Sequence, residues 1–314
     1  MTRIPGTEDI EIKKSFEERY KSLLGMDYEN FIEASLSFMR KSIRVNTLKI
    51  SVENLKKRLD KEWELTEIPW CEEGFFIEHR KQERRDIGNL IEHSLGYFYV
   101  QEAASMIPPV VLEAKPYDAV LDMCSAPGSK TTQLAAMMKN KGAIVSNDSD
   151  YKRMAPLSLN LQRAGAINTV TTLMEGRFFK NPFDKILLDA PCSGTGTIRK
   201  SLKTLKMWNP DMVRRIAGTQ RQLIETAFKC LKQGGIMTYS TCTLEPEENE
   251  GIIDFLLNKY DNAKLEKINL NIKHGPVIKE FDGQIYNKKV DKCLRIWPYQ
   301  NDTCGFFVAK IKKE

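Results

Sequence analysis

Residues 119–131 read Ala-Val-Leu-Asp-Met-Cys-Ser-Ala-Pro-Gly-Ser-Lys-Thr, a short apolar run followed by a glycine-bearing loop and a helical stretch. Gly128 lets the backbone approach a ligand closely. A helix that begins near Lys130 offers unpaired N–H groups and the positive end of its dipole. The glycines that a P-loop or a dinucleotide fingerprint would require are absent. Residues 122–131 are therefore the candidate cofactor loop, in the first unit of an α/β fold.

Downstream of residue 115, apolar β-type runs alternate with helical stretches. Such alternation predicts βαβ units in a parallel sheet with helices on both faces. A last strand is expected close to the end of the chain. The expected strands are residues 119–122, 143–148, 169–173, 185–189, 235–241 and 305–311.

The first hundred residues show a different, mixed α+β pattern. Apolar residues recur at helical spacing between Ile12 and Leu24. Ser51 is a candidate N-cap of a helix through Leu59, because its hydroxyl can accept a backbone N–H. Strands are expected at residues 41–48 and 74–78.

The boundary between the two patterns is expected near Pro108-Pro109. This pair disfavours the α conformation at Ile107 and Pro108, although a helix that bridges the boundary remains an alternative. We therefore divide the chain into an amino-terminal region, residues 1–110, and a second domain, residues 111–314.

Composition sets limits on the class of protein. The 314 residues are 41% hydrophobic and 29% charged, and neither a membrane-length apolar run nor a secretory signal is present, which predicts a cytoplasmic globular protein. A net charge of +6 and a pI of about 8.8 are equally compatible with a polyanionic partner and with ordinary lysine-rich solubility. Seven widely spaced cysteines and three histidines predict neither a disulfide framework nor a metal site.

Chemically active side chains follow several of the expected strands. Asp148 ends the second strand, where α/β folds bind ribose hydroxyls, although it could instead cap the next helix. Arg153 either braces this region or is a solvated helix residue. Asp189, Cys192 and Cys242 follow later strands and should meet at the same sheet edge, because ligands lie at the carboxyl ends of the strands.

Two of the seven cysteines are candidates for covalent chemistry. Cys192 lies in Asp-Ala-Pro-Cys-Ser-Gly-Thr-Gly, and Cys242 lies in Tyr-Ser-Thr-Cys-Thr-Leu, where strands give way to loops. The thiolate is the reactive form, so the attacking cysteine should have a lowered pKa. The other thiols are better explained as inert, buried small side chains: Cys71, Cys230, Cys293 and Cys304.

These segments, taken in order, resemble the Sun/Nop family of RNA cytosine-5 methyltransferases. The similarity covers residues 40–311 and is greatest to the archaeal tRNA members. The segments that carry it are residues 122–131, 189–196 and 239–249, together with Arg44-Val45-Asn46-Thr47, Gln101-Glu102, Glu248-Asn249-Glu250 and Gly305-Phe306-Phe307.

The resemblance implies a Rossmann-like class I methyltransferase sheet, preceded by a smaller RRM-like domain within residues 40–110. It implies S-adenosyl-L-methionine as the methyl donor, with Asp148 at the ribose, Glu175 beside the adenine and Asp189 at the methionine end or the target base. The loop residues implied to contact the donor are Cys124, Ser125, Ala126, Pro127, Gly128, Ser129 and Lys130.

The resemblance also implies that Cys242 is the nucleophile and that Cys192 assists product release. Carbon 5 of cytosine is a poor nucleophile, and thiolate addition at carbon 6 makes it reactive, which is covalent catalysis. DNA cytosine methyltransferases use a Pro-Cys nucleophile, which would favour Cys192 instead. We favour Cys242 because the whole motif set matches the RNA family. The target base must leave its stack to reach the thiol.

The expected substrate is tRNA, at the junction of the variable loop and the T stem (positions 48/49), and the protein is expected to be a monomer. The alternatives are an rRNA methyltransferase, a non-catalytic RNA-binding assembly factor and a DNA methyltransferase. Many family members have histidine where this chain has Tyr299. Basic residues that could follow phosphates, or could form solvated helix faces, are Arg80, Lys81, Arg84, Arg85, Arg199, Lys200, Lys203, Lys206, Arg214 and Arg215.

Overall fold

Four helices and a four-stranded sheet occupy the first hundred residues of the computed structural model, which describes residues 2–8, 10–84 and 86–314. The Ser51 hydroxyl accepts the Asn54 N–H at 3.3 Å and caps the third helix, as predicted. The elements are α1 (Lys14–Leu24), α2 (Tyr28–Ser35), β1 (Ser42–Val45), α3 (Val52–Leu59), β2 (Trp63–Ile68), β3 (Cys71–His79), α4 (Ile91–Ser94) and β4 (Phe98–Val100).

The small sheet is antiparallel throughout, with the strand order β2-β3-β1-β4. Its elements follow one another as β-α-β-β-α-β, the arrangement of ferredoxin-like and RRM modules. Ile43 and Phe75 pair across β1 and β3 and are buried with Leu55 of α3. The predicted smaller α+β, RRM-like unit is therefore confirmed.

A larger sheet and its helices follow. Every strand expected after residue 115 is present, with starts and ends that shift by a few residues in some cases. The elements are α5 (Ile107–Leu112), β5 (Ala119–Asp122), α6 (Ser129–Met137), β6 (Ala143–Asp148), α7 (Tyr151–Ala164), β7 (Thr169–Leu173), β8 (Phe183–Asp189), α8 (Lys203–Met207), α9 (Pro210–Cys230), β9 (Leu231–Thr241), α10 (Glu250–Lys259), β10 (Ala263–Glu266), β11 (Glu280–Phe281), β12 (Gln284–Ile285), β13 (Leu294–Ile296), α11 (Pro298–Asn301) and β14 (Phe306–Lys313).

The large sheet has the strand order β10-β14-β9-β8-β5-β6-β7, with β13 paired to β14. Strands β5 to β9 are parallel, whereas β14 is antiparallel to β9, so the sheet is mixed rather than purely parallel. The apolar side chains of α9 and α10 cover one face, and those of α5 and α6 cover the other. The predicted α/β sheet with helices on both faces is confirmed. The strand order reverses between β5 and β8, where doubly wound folds bind ligands.

Helix α5 spans the boundary that the sequence predicted at residues 110 and 111. The prediction that Ile107 avoids the α conformation is wrong, because its φ of −66° and ψ of −48° are helical. Pro108 and Pro109 lie in the first turn of this helix, where a missing N–H costs nothing. The disfavoured conformation before proline is a bias that the buried packing of α5 overrides.

The face of the small sheet that α3 does not cover packs against the large domain. Phe76 is buried with Met106 and Ile107, so this face is closed to the base stacking that RRM modules use. Arg44 donates to the carbonyl of Ser129 at 2.8 Å and to the Thr132 hydroxyl at 2.9 Å, in the first turn of α6. The small sheet is therefore hydrogen-bonded to the end of the cofactor loop.

Candidate active site

The cofactor loop is held against the end of β6 by its own backbone. The Ser125 N–H donates to the carbonyl of Asn147 at 2.7 Å. Gly128 has φ +99°, a conformation that favours glycine, and a Cβ added there would lie 3.0 Å from the end of the Leu157 side chain. The Thr131 hydroxyl donates to Asp122 at 2.7 Å and connects the start of α6 to the end of β5.

Asp148 ties the second parallel strand to this loop. Its carboxylate accepts the N–H of Ala126 at 3.1 Å and that of Asp150 at 3.0 Å. The cap of α7 is Asp150, whose side chain accepts the Lys152 N–H, so the alternative role of Asp148 as the helix cap is wrong. Arg153 lies 3.4 Å from the Asp148 carboxylate and donates to the Ala126 carbonyl, so it braces the loop.

A cavity of about 760 Å³ opens at the carboxyl ends of the parallel strands. Its wall contains most of the residues that the sequence singled out: Cys124, Ala126, Asp148, Arg153, Glu175, Asp189, Cys192 and Cys242. The other five predicted cofactor residues lie in the described part of the chain but do not line the cavity. They are Ser125, Pro127, Gly128, Ser129 and Lys130. Two of these five bond to wall residues: Ser125 to Asn147 and Lys130 to Asp189.

Sequence reasoning missed several wall residues. Helix α9 contributes Thr219, Gln222 and Leu223, which belong to no motif and were recognisable only as part of an amphipathic helix. Arg177 also lines the cavity and forms an ion pair of 2.6 Å with Glu175. Only the tertiary structure brings α9 across the strand ends.

The thiol pair, Cys192 and Cys242, lies in the cavity wall with its two sulfurs 3.3 Å apart. The hydrogen bond from Cys192 lowers the pKa of Cys242, and the positive charges of Lys130 and Lys200 act in the same direction against burial. The same bond, together with burial, raises the pKa of Cys192 well above that of a free thiol. Cys242 is therefore the thiol of the pair that ionises more readily.

Asp189 is fixed between the cofactor loop and the strand that carries Cys242. Its Oδ2 lies 2.7 Å from the Lys130 ammonium, and its Oδ1 accepts the Ser240 hydroxyl at 2.8 Å. Lys130 also donates to Ser105 at 3.1 Å. Because both carboxylate oxygens are bonded, Asp189 presents its charge at a defined place in the cavity wall.

One expectation about a basic residue is wrong, and Tyr299 can now be placed. Arg199 is buried and bonds to the carbonyls of Ser37 and Thr303 and to Asp302, so its predicted contact with phosphate is wrong. Tyr299 packs beside the aromatic side chains of α1 and α2, and burial followed by Asp27 raises its pKa to about 12. Arg85 lies outside the described residues.

Two family models match the chain. The model described as 16S rRNA methyltransferase RsmB/F matches residues 109–312, and that of the N-terminal domain of 16S rRNA methyltransferase RsmF matches residues 12–103. The chain belongs to the RsmB/F (Sun/Nop) family. It is thus an S-adenosylmethionine-dependent RNA cytosine-5 methyltransferase, and the alternative of a DNA methyltransferase is wrong.

Known members cover almost the whole chain. It is 46% identical over 306 residues to the tRNA (cytosine(49)-C(5))-methyltransferase of Pyrococcus abyssi, with 96% of each chain covered. It is 45% identical to ribosomal RNA small subunit methyltransferase F of Aliivibrio salmonicida over 95% of its own length, but spans only 62% of that protein. The structure of NSun6 from Pyrococcus horikoshii with SFG, an analogue of S-adenosylmethionine, superposes with a TM-score of 0.84 at 27% identity, covering 96% of this chain and 98% of that one.

The cavity fits the methyl donor of this family. Asp148 and Glu175 provide carboxylates in the wall, which suit hydroxyl and amino donors, and Met123 and Leu223 provide apolar surface. No group of three or more His, Cys, Asp or Glu side chains in the described part of the chain could hold a metal ion. Among the same residues, no helix has both the length and the apolar character to cross a bilayer.

Proposed function

We propose that this protein methylates carbon 5 of cytosine in tRNA at the variable-loop/T-stem junction, positions 48/49, through a covalent adduct on Cys242. The observation that carries the proposal is the pair of sulfurs 3.3 Å apart, of which Cys242 has the lowered pKa. The nucleotide is inferred from the relative in Pyrococcus abyssi, whose name specifies cytosine 49 of tRNA.

The proposed cofactor contacts use residues in the cavity wall. Asp148 would accept from the ribose hydroxyls and Glu175 would lie at the adenine, while Asp189 would face the methionine end or the base. Cys124 and Ala126 of the cofactor loop would line the site, with Arg153 bracing Asp148. When bound, S-adenosylmethionine supplies an electrophilic methyl group.

The residues of the chain activate the base from the other side. The Cys242 thiolate adds to carbon 6 of a cytosine turned out of its stack, and carbon 5 gains nucleophilic character. Asp189, held by Lys130 and Ser240, stabilises the charge change at the N3 edge of the ring. After methylation, a base takes the carbon 5 proton, the electrons of that bond form the double bond to carbon 6, and the carbon–sulfur bond breaks to return the thiolate. Cys192 promotes this release.

Two variants distinguish the roles of the thiols. Cys192→Ala should trap an adduct with a tRNA transcript that survives denaturing electrophoresis, whereas Cys242→Ala should neither trap an adduct nor transfer a methyl group. A transcript with uridine at positions 48 and 49 is the matched control. An adduct that forms with Cys242→Ala and not with Cys192→Ala would reverse the assignment.

The second candidate substrate is ribosomal RNA, and the specific observation for it is the 45% identity to the rRNA enzyme of Aliivibrio salmonicida. That enzyme has a further part which the present chain does not match, whereas the tRNA relative is matched over 96% of its length. Bisulfite mapping of total RNA from a deletion strain decides between them. Loss of signal confined to rRNA would overturn the tRNA proposal.

We also propose that residues 1–110 act as an RNA-binding unit on the catalytic domain, residues 111–314. Support comes from the separate family matches to residues 12–103 and 109–312. The RNA-binding surface would lie on edges and loops of the small sheet, because the face that α3 does not cover packs against the large domain. Arg80 on this unit has an exposed side chain and pairs with Asp60, which RNA could replace.

A further inference from the structure

The loops that carry the two thiols are bonded to each other next to both sulfurs. Ser193 follows Cys192, and Thr243 follows Cys242. The hydroxyl oxygens of Ser193 and Thr243 lie 2.7 Å apart. The distance between the sulfurs therefore depends on a contact that begins one residue beyond each of them.

Glu248 gathers both loops on one buried carboxylate. Its Oε2 accepts the Ser193 N–H at 3.0 Å and the Gln220 side-chain amide at 2.9 Å. Its Oε1 accepts the Ser193 hydroxyl and lies 3.5 Å from the Thr243 hydroxyl. The Gln220 amide also donates to the carbonyl of Pro191 at 2.8 Å. The carbonyl before Cys192 and the N–H after it therefore both have hydrogen-bond partners.

The other side of Glu248 is anchored to the strand that leads to Cys242. The Tyr239 hydroxyl donates to the backbone carbonyl of Glu248 at 2.6 Å. The neighbouring Asn249 side chain donates to the carbonyl of Thr243 at 3.0 Å and accepts the Thr241 hydroxyl at 2.5 Å. The carboxylate is thus built into the Cys242 loop and reaches across to the Cys192 loop.

A fully buried carboxylate at this position is costly in free energy. Glu248 has no exposed surface, and among the described residues no Lys or Arg forms an ion pair with it. Burial raises its pKa to about 7, although the hydrogen bonds from Ser193 act to lower it. A carboxylate offers two acceptor oxygens whereas a side-chain amide offers one, so the chemistry of the acceptor, rather than its size, is what the loops use.

We propose that Glu248 is a positioning residue that holds Cys192 against the Cys242 sulfur for product release. The inference rests on the proposed roles of the two thiols. In the release step the carbon 5 proton leaves to a base and the carbon 6–sulfur bond breaks toward Cys242, so a displaced Cys192 leaves this step unassisted. Glu248 acts only through the loop that carries Cys192.

Glu248→Gln is the test, because it keeps the shape and replaces one of the two acceptor oxygens with an NH2 group, which cannot accept from Ser193 or Gln220. The variant should behave like Cys192→Ala: it accumulates the covalent RNA adduct, and its kcat falls about 10-fold or more while its KM for tRNA is unchanged. Glu248→Gln combined with Cys192→Ala should be no slower than Cys192→Ala alone, because both changes remove the same function.

Glu245→Gln is the matched control. Glu245 is equally buried and three residues away. Its carboxylate accepts from Tyr20 and Trp208, and neither of these residues belongs to a loop that carries a thiol. It should lose stability without accumulating adduct. If Glu248→Gln does not fold, as judged by circular dichroism, Gln220→Met replaces it and should trap adduct to a smaller extent.

Several results would overturn the inference. They are turnover of Glu248→Gln at the wild-type rate without adduct, equal trapping by Glu245→Gln, and fully additive losses in the double variant. Failure of the proposed function has a separate signature: Cys242→Ala would still methylate tRNA, or neither thiol variant would show adduct, whatever Glu248→Gln does.

Discussion

The Lys130 ammonium lies 2.7 Å from Asp189 Oδ2, so the first turn of α6 is ion-paired with the end of β8. The same ammonium acts to lower the pKa of Cys242, which follows the neighbouring strand β9. One cation at the end of the cofactor loop thus influences both the Asp189 carboxylate and the Cys242 thiol.

Lys130→Met should raise the pKa of Cys242, because a positive charge near the thiolate is removed. Alkylation of Cys242 by iodoacetamide at pH 7 should slow about tenfold, equivalent to ~1.4 kcal/mol. Peptide mass spectrometry resolves the rate at this cysteine. Lys310→Met is the control, since Lys310 is similarly buried but pairs with Glu113. Equal rates in wild type and Lys130→Met would contradict the prediction.

Cys192→Ala should move the pH profile of Cys242 alkylation to higher pH. The hydrogen bond from Cys192 is the largest contribution that lowers the Cys242 pKa, and only the thiolate reacts. The wild-type thiolate therefore persists to lower pH than that of the variant. Cys230→Ala removes a buried thiol at the end of α9 and should leave the profile unchanged. An unchanged midpoint in Cys192→Ala would show that the bond does not set the pKa.

Asp122→Asn should change how stability depends on pH. Burial raises the pKa of Asp122 to about 7, against the hydrogen bond from Thr131, and its Oδ1 has no partner. Between the unfolded value of 3.8 and about 7 the folded state holds more protons, so wild-type stability falls as pH rises through this window. The variant lacks this loss and should gain about 1–3 kcal/mol relative to wild type between pH 4 and pH 8.

Urea unfolding across this pH range measures the difference. Asp184→Asn supplies a control of opposite sign, because the hydrogen bond from Lys232 lowers the pKa of Asp184. Its contribution to stability is present above the unfolded value of 3.8 and is lost as pH falls through the lowered folded value. A stability difference for Asp122→Asn that does not vary with pH would be inconsistent with a raised pKa.

Arg295→Met should destabilise the protein by about 3–5 kcal/mol, because it leaves a fully buried Glu250 without its cation. Arg295 also donates to the carbonyl of Leu244 at 2.8 Å, two residues beyond Cys242. Arg295→Met combined with Glu250→Leu should recover much of the loss, since the unpaired charge is removed. Chemical denaturation gives both values, with the exposed Lys14→Ala as control. A double variant as unstable as the single one would contradict this account.

Much of the large sheet was predictable from the sequence. The strands expected at residues 119–122, 143–148 and 169–173 have the bounds found in the structure, because each is a short β-type run with loop residues on either side. The expected strand at residues 235–241 begins four residues earlier, at Leu231. The sequence did not predict this extension because residues Lys232 to Gly235 are polar or glycine, which are not typical of a strand.

The candidate site was predictable as a set of residues but not as an arrangement. Strand order places Asp148, Asp189 and Cys242 at one sheet edge. No pattern predicted that α9 would line the cavity or that Arg199 would point inward to carbonyl groups. Such contacts join residues far apart in sequence, so local periodicity carries no information about them.

The sequence by itself determined the succession of strands and helices, the candidate cofactor loop and the two cysteines at strand ends, because local residue preferences and short motifs encode these features. Only the tertiary structure decided that Cys192 and Cys242, fifty residues apart, have sulfurs in contact. That decision depends on parallel strands that end at a common edge and on a buried carboxylate, Glu248, that bonds both loops.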